Sequence, residues 1–402
     1  MHSGWRCTPI CLSRRRSCTR CSSGRFKSTT RAGHGTRRSC DPGSRWGSRS
    51  RCSPNWRRLS SPRRPRALSA ERSAPPRRAP SPSIGSIYAP VQGQLARVDD
   101  RLRGLVKVEF SYLSGLLDHV LESKGKRVRP VITLLAASFH PNDGKNAEIM
   151  AAAVELLHIA TLIHDDTVDN SALRRGKATV SNLWGKDIAV VLGDYLFATS
   201  ATFVCDTGNI RVIRRFAETI MELSSGELHE MVVAHDPKQT RDQYLERIYD
   251  KTASLFTTAS ESGALLSGAS EETATALKKY GYNLGMAFQI VDDILDFEGN
   301  AQDVGKPVGS DLLHGLMTLP ALLYAEGHPG DGLVQDAVAS RGDAKALDTA
   351  LRAIAASPAV GKAYAVAEDY GQKALVCLGG LPDIPARGSL EDMVAYVLTR
   401  RA

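Results

Sequence analysis

From about residue 85 onward the chain is written in a 3.6-residue rhythm, with apolar positions recurring three and four apart. The rhythm runs through residues 91–121, 131–139, 147–168, 188–204, 210–233, 244–266, 272–297 and 312–324. Shorter stretches follow at 344–355, 360–377 and 390–401. The breaks carry helix-ending and turn-forming residues: Pro141-Asn142-Asp143-Gly144, Asp206-Thr207-Gly208-Asn209, Asp236-Pro237, Gly299-Asn300 and Gly327-His328-Pro329-Gly330. Alternating strand-like runs are scarce, and no Asn-Gly or Asp-Gly turn is flanked by them. No repeat of 20–50 residues shows beyond the two acidic segments described next. The pattern predicts an all-α bundle of ten or more helices, several long enough to line a deep central cavity.

Two of these helical stretches end in the same acidic design, Asp165-Asp166-Thr167-Val168-Asp169 and Asp292-Asp293-Ile294-Leu295-Asp296. Residues four apart share a helix face, so Asp165 with Asp169, and Asp292 with Asp296, point the same way. Carboxylates gathered beside an apolar core repel one another unless a cation neutralises them. Mg²⁺ suits them, because it takes a few carboxylates together with substrate phosphates. Cations flank both clusters. Arg174 and Arg175 follow the first, Lys306 follows the second on the Gly305-Lys306-Pro307 loop, Lys251-Thr252 lies within a helix, and Gly125-Lys126-Arg127-Val128-Arg129-Pro130 precedes one. Arginine forks and helix-initiating turns both suit phosphate oxygens. A single Asp-rich string is ordinarily a solvated helix face, and an Arg-Arg pair ordinarily a surface feature. It is the ordering of the two clusters and their cations that points to a diphosphate bridged by metal. A P-loop is excluded, because Pro307 follows Gly305-Lys306 where Ser or Thr is required. His229 and His235 lack partners at zinc spacing and read as helix-surface residues.

Charge divides the 402-residue chain in two. Residues 1–80 hold 21 basic residues against Asp41 and Glu71, a surplus of 19, while the whole chain carries +9, leaving the body at −10. Overall basicity is therefore no sign of nucleic-acid binding, which would rest on the arm alone. The arm is rich in Arg, Ser and Pro, lacks hydrophobic periodicity and has no continuous apolar core, so it is expected to be a disordered organelle transit peptide of a plastid or mitochondrion. A zinc module, a nucleic-acid-binding tail or a misplaced start are its alternatives; Cys18 and Cys21 have metal-like spacing without a second pair. The body keeps only Cys205 and Cys377, as in a reducing compartment. Its stretch at 188–204 is interrupted by Asp194, so no transmembrane segment is expected.

The chain resembles the trans-type polyprenyl diphosphate synthases from about Val91 to its C-terminus. The resemblance is carried by residues 125–130, by 162–169 with Arg174-Arg175, by Gly193-Asp194-Tyr195-Leu196, by Lys251-Thr252-Ala253-Ser254-Leu255, and by 288–296 leading into Gly305-Lys306-Pro307 and Asp311. It implies the all-α isoprenoid-synthase fold over residues 85–402, normally a homodimer, with three Mg²⁺ ions per site. It also implies roles. Asp165, Asp169 and Asp292 bind Mg²⁺ that grips the allylic diphosphate; Asp166, Asp293 and Asp296 support the ions directly or through water, Asp296 being counted with the metal ligands. Lys251 joins the aspartates in the catalytic group. Arg174, Lys251, Thr252, Gln289 and Lys306 hold the allylic substrate, and Lys126, Arg129, His158 and Arg175 hold isopentenyl diphosphate. Two departures stand out: Lys124 replaces the usual first Gly of a Gly-Gly-Lys-Arg pattern, and Glu230 stands where many members have Gln.

The implied reaction is a head-to-tail condensation extending farnesyl or geranylgeranyl diphosphate. The growing tail is expected to run down the helix that carries Asp165, where one turn rises about 5.4 Å, close to one isoprene unit. Ala160 and Thr161 are small and Leu157 lies beyond them, so no aromatic floor stops the tail. A long product for ubiquinone or plastoquinone side chains is expected, with peripheral membrane association for its release. A geranylgeranyl diphosphate synthase, a terpene cyclase and a non-catalytic subunit of a hetero-oligomeric synthase are the competing readings. The cyclase would carry an Asn/Ser/Glu second motif, and a non-catalytic subunit would have lost aspartates.

Overall fold

The computed structural model describes residues 82–122, 125–298 and 308–400. The expected transit peptide, Lys124 and Lys306 lie outside the described residues. The elements are α1 (Ile84–Tyr88), a 3₁₀ turn (Ala89–Val91), α2 (Gln92–Gly104), α3 (Ser111–Glu122), α4 (Val128–Ala137) and α5 (Lys145–Val168). A short hairpin, β1 (Leu173–Arg174) with β2 (Lys177–Ala178), precedes α6 (Val180–Trp184), α7 (Lys186–Asp206), α8 (Ile210–Val233) and α9 (Arg241–Ile248). A π turn (Tyr249–Ala253) leads into α10 (Ser254–Leu266) and α11 (Glu271–Glu298). The chain closes with α12 (Ser310–Leu313), α13 (Leu319–Gly327), α14 (Leu333–Ala339), α15 (Ala344–Ala356), α16 (Ala359–Leu378) and α17 (Pro385–Thr399).

The expected all-α bundle is what forms, with local differences. The apolar stretch 91–121 breaks into α2 and α3, whose connection holds Val106 and Val108 against the core. The stretch 312–324 breaks at Gly315, which takes φ +79° and accepts the backbone N–H of His235 at 2.9 Å. Helix starts follow local chemistry. Asn209 Oδ1 accepts from the N–H groups of Arg211 and Val212, and Thr240 with Gln243 forms a capping box on α9.

Helix α5 is the axis of the molecule. Residues Ala147–Leu157 are buried all round, a pattern that gives a helix a core position. It packs against α7, α4, α10 and α2, while α10 packs against α11, α4 and α8. Helices α10 and α11 come close because α11 presents Gly281 and Gly285; a Cβ at Gly281 would lie 2.5 Å from the Phe256 carbonyl oxygen. A second apolar cluster joins α11 to α13, α14, α15 and α16.

By length and hydropathy alone α5 and α7 are each apolar enough to cross a bilayer, Asp194 notwithstanding. A single aspartate does not offset the apolar run around it. In α5 that run is the core of the bundle, with 72% of its most apolar stretch buried; in α7 only 33% is.

Candidate active site

The C-terminal end of α5 carries the first acidic wall. Asp166 is buried, and both its oxygens accept from Arg174 Nε at 2.8 Å. The β1–β2 turn, with Arg175 and Gly176 both at positive φ, brings Arg174 back onto the helix. Asp165 is only partly exposed, and Asp169, one turn on, is exposed. Burial, reinforced by Glu227 and Asp169, pushes Asp165 up to about 7 against the pull of Lys251 and Arg174.

The second wall is the C-terminal end of α11. Asp293 is buried, accepting from Tyr244 Oη at 2.6 Å and Gln289 Nε2 at 2.7 Å. Burial, with some repulsion from Asp292, pushes it up to about 7, while both hydrogen bonds hold it down. Asp292 is exposed and accepts from Arg400 Nη2 at 2.9 Å. Asp296 accepts the backbone N–H groups of Ser310 and Asp311, each at 3.1 Å, so it anchors the start of α12.

Between the walls lies the π turn, where an extra residue in the turn reorients successive side chains. Lys251 Nζ meets Glu230 at 2.5 Å and Glu227 at 3.0 Å, both on α8, and interacts electrostatically with Asp165. Burial pulls Lys251 down, but the three carboxylates outweigh it and hold the ammonium above its ordinary range. The next residue, Thr252, donates to Gln289 Oε1 at 2.7 Å, and Gln289 in turn donates to Asp293. Adjacent residues of one turn are thus linked to the two acid clusters, Lys251 electrostatically to Asp165 and Thr252 through Gln289 to Asp293.

A cationic group borders this space. Arg129 lies 4.6 Å from the Phe256 ring centre, its Nε buried and without a hydrogen-bond partner. Burial pushes it down to about 10, against attraction from Glu155 and Asp292 and with repulsion from Arg175 and Arg400. His158 is driven well below its ordinary range by burial and by Arg129, Arg175, Arg174 and Arg127, so it stays neutral. Arg127 takes a positive φ and is tied to Asp99 at 3.1 Å and Glu155 at 2.6 Å, which fixes the turn carrying Lys126 and Arg129. Lys126 Nζ stands 5.9 Å over the Tyr396 ring.

The polyprenyl synthetase family model matches residues 110–354. Heptaprenyl diphosphate synthase component 2 of Geobacillus stearothermophilus is 40% identical over 317 residues, covering 78% of this chain and 98% of that protein. Solanesyl-diphosphate synthase 2, chloroplastic, of Oryza sativa subsp. japonica is 35% identical over 324 residues, covering 79% and 80%. The crystal structure of a polyprenyl synthase from Caulobacter crescentus CB15, complexed with calcium and isoprenyl diphosphate, superimposes with a TM-score of 0.76 at 33% identity, over 80% of this chain and 99% of that one. The chain belongs to the polyprenyl synthetase family.

As a polyprenyl synthetase it is a prenyltransferase, and the donor set fits the family's divalent ion. The clusters offer carboxylate oxygens alone, hard donors for a hard cation. Among the described residues no three His, Cys, Asp or Glu side chains form a ready-made cage. Such a cage is not what Mg²⁺ requires, since it is commonly held by one or two carboxylates together with phosphate oxygens and water.

Sequence reading missed several partners in this synthetase. Tyr244 and Arg400 carried no local signal, being 49 and 108 positions from the aspartates they touch. Glu227 and Glu230 were legible as a one-turn pair on a helix, though not as the clamp on Lys251. Along the expected tail path, Ala153, Leu157 and Ala160 are fully buried, so in this structure the path is filled by packed side chains. Thr161 is partly exposed, and its Oγ1 donates to the His158 carbonyl at 2.8 Å.

Proposed function

We propose that this chain is a Mg²⁺-dependent trans-polyprenyl diphosphate synthase that extends farnesyl or geranylgeranyl diphosphate with isopentenyl diphosphate to a long all-trans product. The observation that carries the reading is the adjacent pair Lys251 and Thr252, the first linked electrostatically to Asp165 and the second hydrogen-bonded through Gln289 to Asp293. Asp165, Asp169 and Asp292 would hold the ions, with Asp296 anchoring its end of the wall. When bound, Mg²⁺ neutralises the allylic diphosphate so that its C–O bond can ionise. Arg174 and Lys251 orient the departing diphosphate and take part of its charge. Gln289 and Thr252 present dipoles to the allylic carbocation. Arg129, Lys126 and Arg175 place isopentenyl diphosphate so that its double bond attacks the cation, after which a proton passes to the released diphosphate. Neutral His158 can serve this cationic end as a hydrogen-bond partner without adding charge. The apolar walls exclude water that would quench the cation.

The long product is supported by the relatives' names, which include solanesyl and heptaprenyl synthases. Asn146, at the start of α5, borders a cleft with Ile210, Leu265 and Leu266. It lies about 28 Å, roughly five turns, from Asp165. A homodimer is supported by apolar side chains left outside: Val190 and Val191 on α7, and Met221, Leu228, Met231 and Val232 on α8. The relative named as component 2 of a heptaprenyl synthase favours a second reading, in which this face binds a different subunit. Residues 1–80 would direct the chain to an organelle.

Incubating a chain that begins at Ser81 with Mg²⁺, labelled isopentenyl diphosphate and each allylic primer tests all of this. Turnover by the purified chain to products beyond geranylgeranyl length supports the proposal. A C20 end product makes it a geranylgeranyl diphosphate synthase, and inactivity until a partner is added establishes the hetero-oligomer.

A further inference from the structure

Asp292 is the most exposed member of the second cluster's leading pair, with 52% of its side chain accessible, yet it is not left to solvent. Its Oδ1 accepts a hydrogen bond from Arg400 at 2.9 Å. Arg400 is the C-cap residue of α17, at the far end of the chain. Its side chain is only 7% exposed, its guanidinium lies 3.8 Å over the Phe288 ring, and it also donates to the Phe288 carbonyl at 2.8 Å. Its Nε is buried with no partner.

An arginine held this way is costly, since a buried donor without an acceptor loses its hydration. Charge neutralisation at Asp292 and the stacking on Phe288 offset that cost. The same carboxylate is read above as a Mg²⁺ ligand, and the present inference rests on that reading. A guanidinium beside Asp292 and a metal ion on it compete for the same negative charge. Arg129, whose Nε is likewise buried and unpaired, interacts electrostatically with both Asp292 and Arg400. Two guanidinium groups therefore border Asp292, each with a donor unspent.

We infer that Arg400 is a positioning residue: it neutralises Asp292 while no metal is bound, competes with the metal for that carboxylate's charge, and thereby sets how tightly metal binds. Arg400 also interacts electrostatically with Arg129, at the cationic end of the site. The C-terminal helix is by this device coupled to the state of the second aspartate cluster.

The test titrates the full chain with Mn²⁺ in the absence of substrate, free metal being followed by its EPR signal. Wild type, Arg400→Met, Arg400→Lys and Asp292→Asn are compared, with the Mg²⁺ dependence of turnover measured alongside. Arg400→Met is expected to bind Mn²⁺ several-fold more tightly, and to need less Mg²⁺ for half-maximal turnover, while its KM for isopentenyl diphosphate rises. Arg400→Lys, which keeps the charge, is expected to stay near wild type in metal affinity. Equal or weaker binding in Arg400→Met, or tightening of the same size in Arg400→Lys, would overturn the inference. Unchanged binding in Asp292→Asn would instead sink the assignment of Asp292 to the metal. Should Arg400→Met fail to fold, Arg400→Gln, which keeps a donor but removes the charge, is read by the same criteria.

Discussion

Tyr244 donates its phenolic hydrogen to Asp293 at 2.6 Å, and both side chains are buried. The tyrosine comes from α9 and the aspartate from α11, so one hydrogen bond fixes the second acid wall to its neighbouring helix. It also helps keep ionised a carboxyl group that burial has pushed up to about 7. In Tyr244→Phe the carboxylate keeps Gln289 but loses its shortest donor, and its proton affinity rises. The acid limb of kcat/KM against pH should move to higher pH, with turnover at neutral pH falling by about tenfold. An unmoved limb would mean that Asp293 does not titrate in the catalytic cycle.

Asp165 gives a related effect in stability. Its proton is held more tightly in the folded chain, where burial and Glu227 raise it to about 7 from an ordinary 3.8. Folding therefore gains from Asp165 most fully below about pH 4, and that gain is lost as pH rises toward 7. Asp165→Asn removes the charge and with it the loss. In thermal denaturation of the metal-free protein, Asp165→Asn should melt a few degrees above wild type at pH 8, and the gap should narrow toward pH 5 and close below about pH 4. Mg²⁺ should raise the melting temperature of wild type at pH 8 more than that of the variant.

What the sequence could reveal here depended on range. The helices and both acid clusters were legible because periodicity and i,i+4 spacing are local properties, and α5 and α11 end as their patterns predict. The π turn was not, since Tyr249–Ala253 continues the helical rhythm on either side and only its hydrogen bonding differs. Long-range partners were equally hidden. That Lys251 would sit between two glutamates of α8, and Arg400 on Asp292, follows from how helices cross, which no window of sequence contains. The filled path beside Ala160 and Leu157 is of the same kind, because small residues permit a channel but equally permit close packing.

Glu230 is the departure from the family pattern that has the clearest structural consequence. It pairs with Lys251 at 2.5 Å, with Glu227 already at 3.0 Å on the same ammonium and Arg247 at 3.8 Å from Glu230 itself. An allylic diphosphate must compete with both carboxylates for Lys251. Glu230→Gln leaves an acceptor in place but removes one negative charge from the pocket. The KM for the allylic substrate is expected to fall about fivefold, the worth of roughly 1 kcal/mol, with kcat changed less. A rise in KM would show instead that Glu230 holds Lys251 in its productive position.

Product length offers a graded test along α5. Ala160 stands five residues before Asp165, about 7.5 Å along the axis, and Ala153 stands twelve before it, about 18 Å. Both are fully buried, so a phenylalanine at either must find room among packed neighbours, at a cost of about 1–3 kcal/mol in stability. If the tail threads beside this helix, each aromatic side chain becomes a floor at its own depth. The two positions differ by about 10 Å, close to two helical turns. Since one turn matches about one isoprene unit, Ala160→Phe should end its products roughly two units shorter than Ala153→Phe does. Both should fall short of wild type when the dephosphorylated products are separated by reversed-phase chromatography. Equal lengths from the two variants would place the tail beside some other helix and leave the small residues of α5 with a packing role alone.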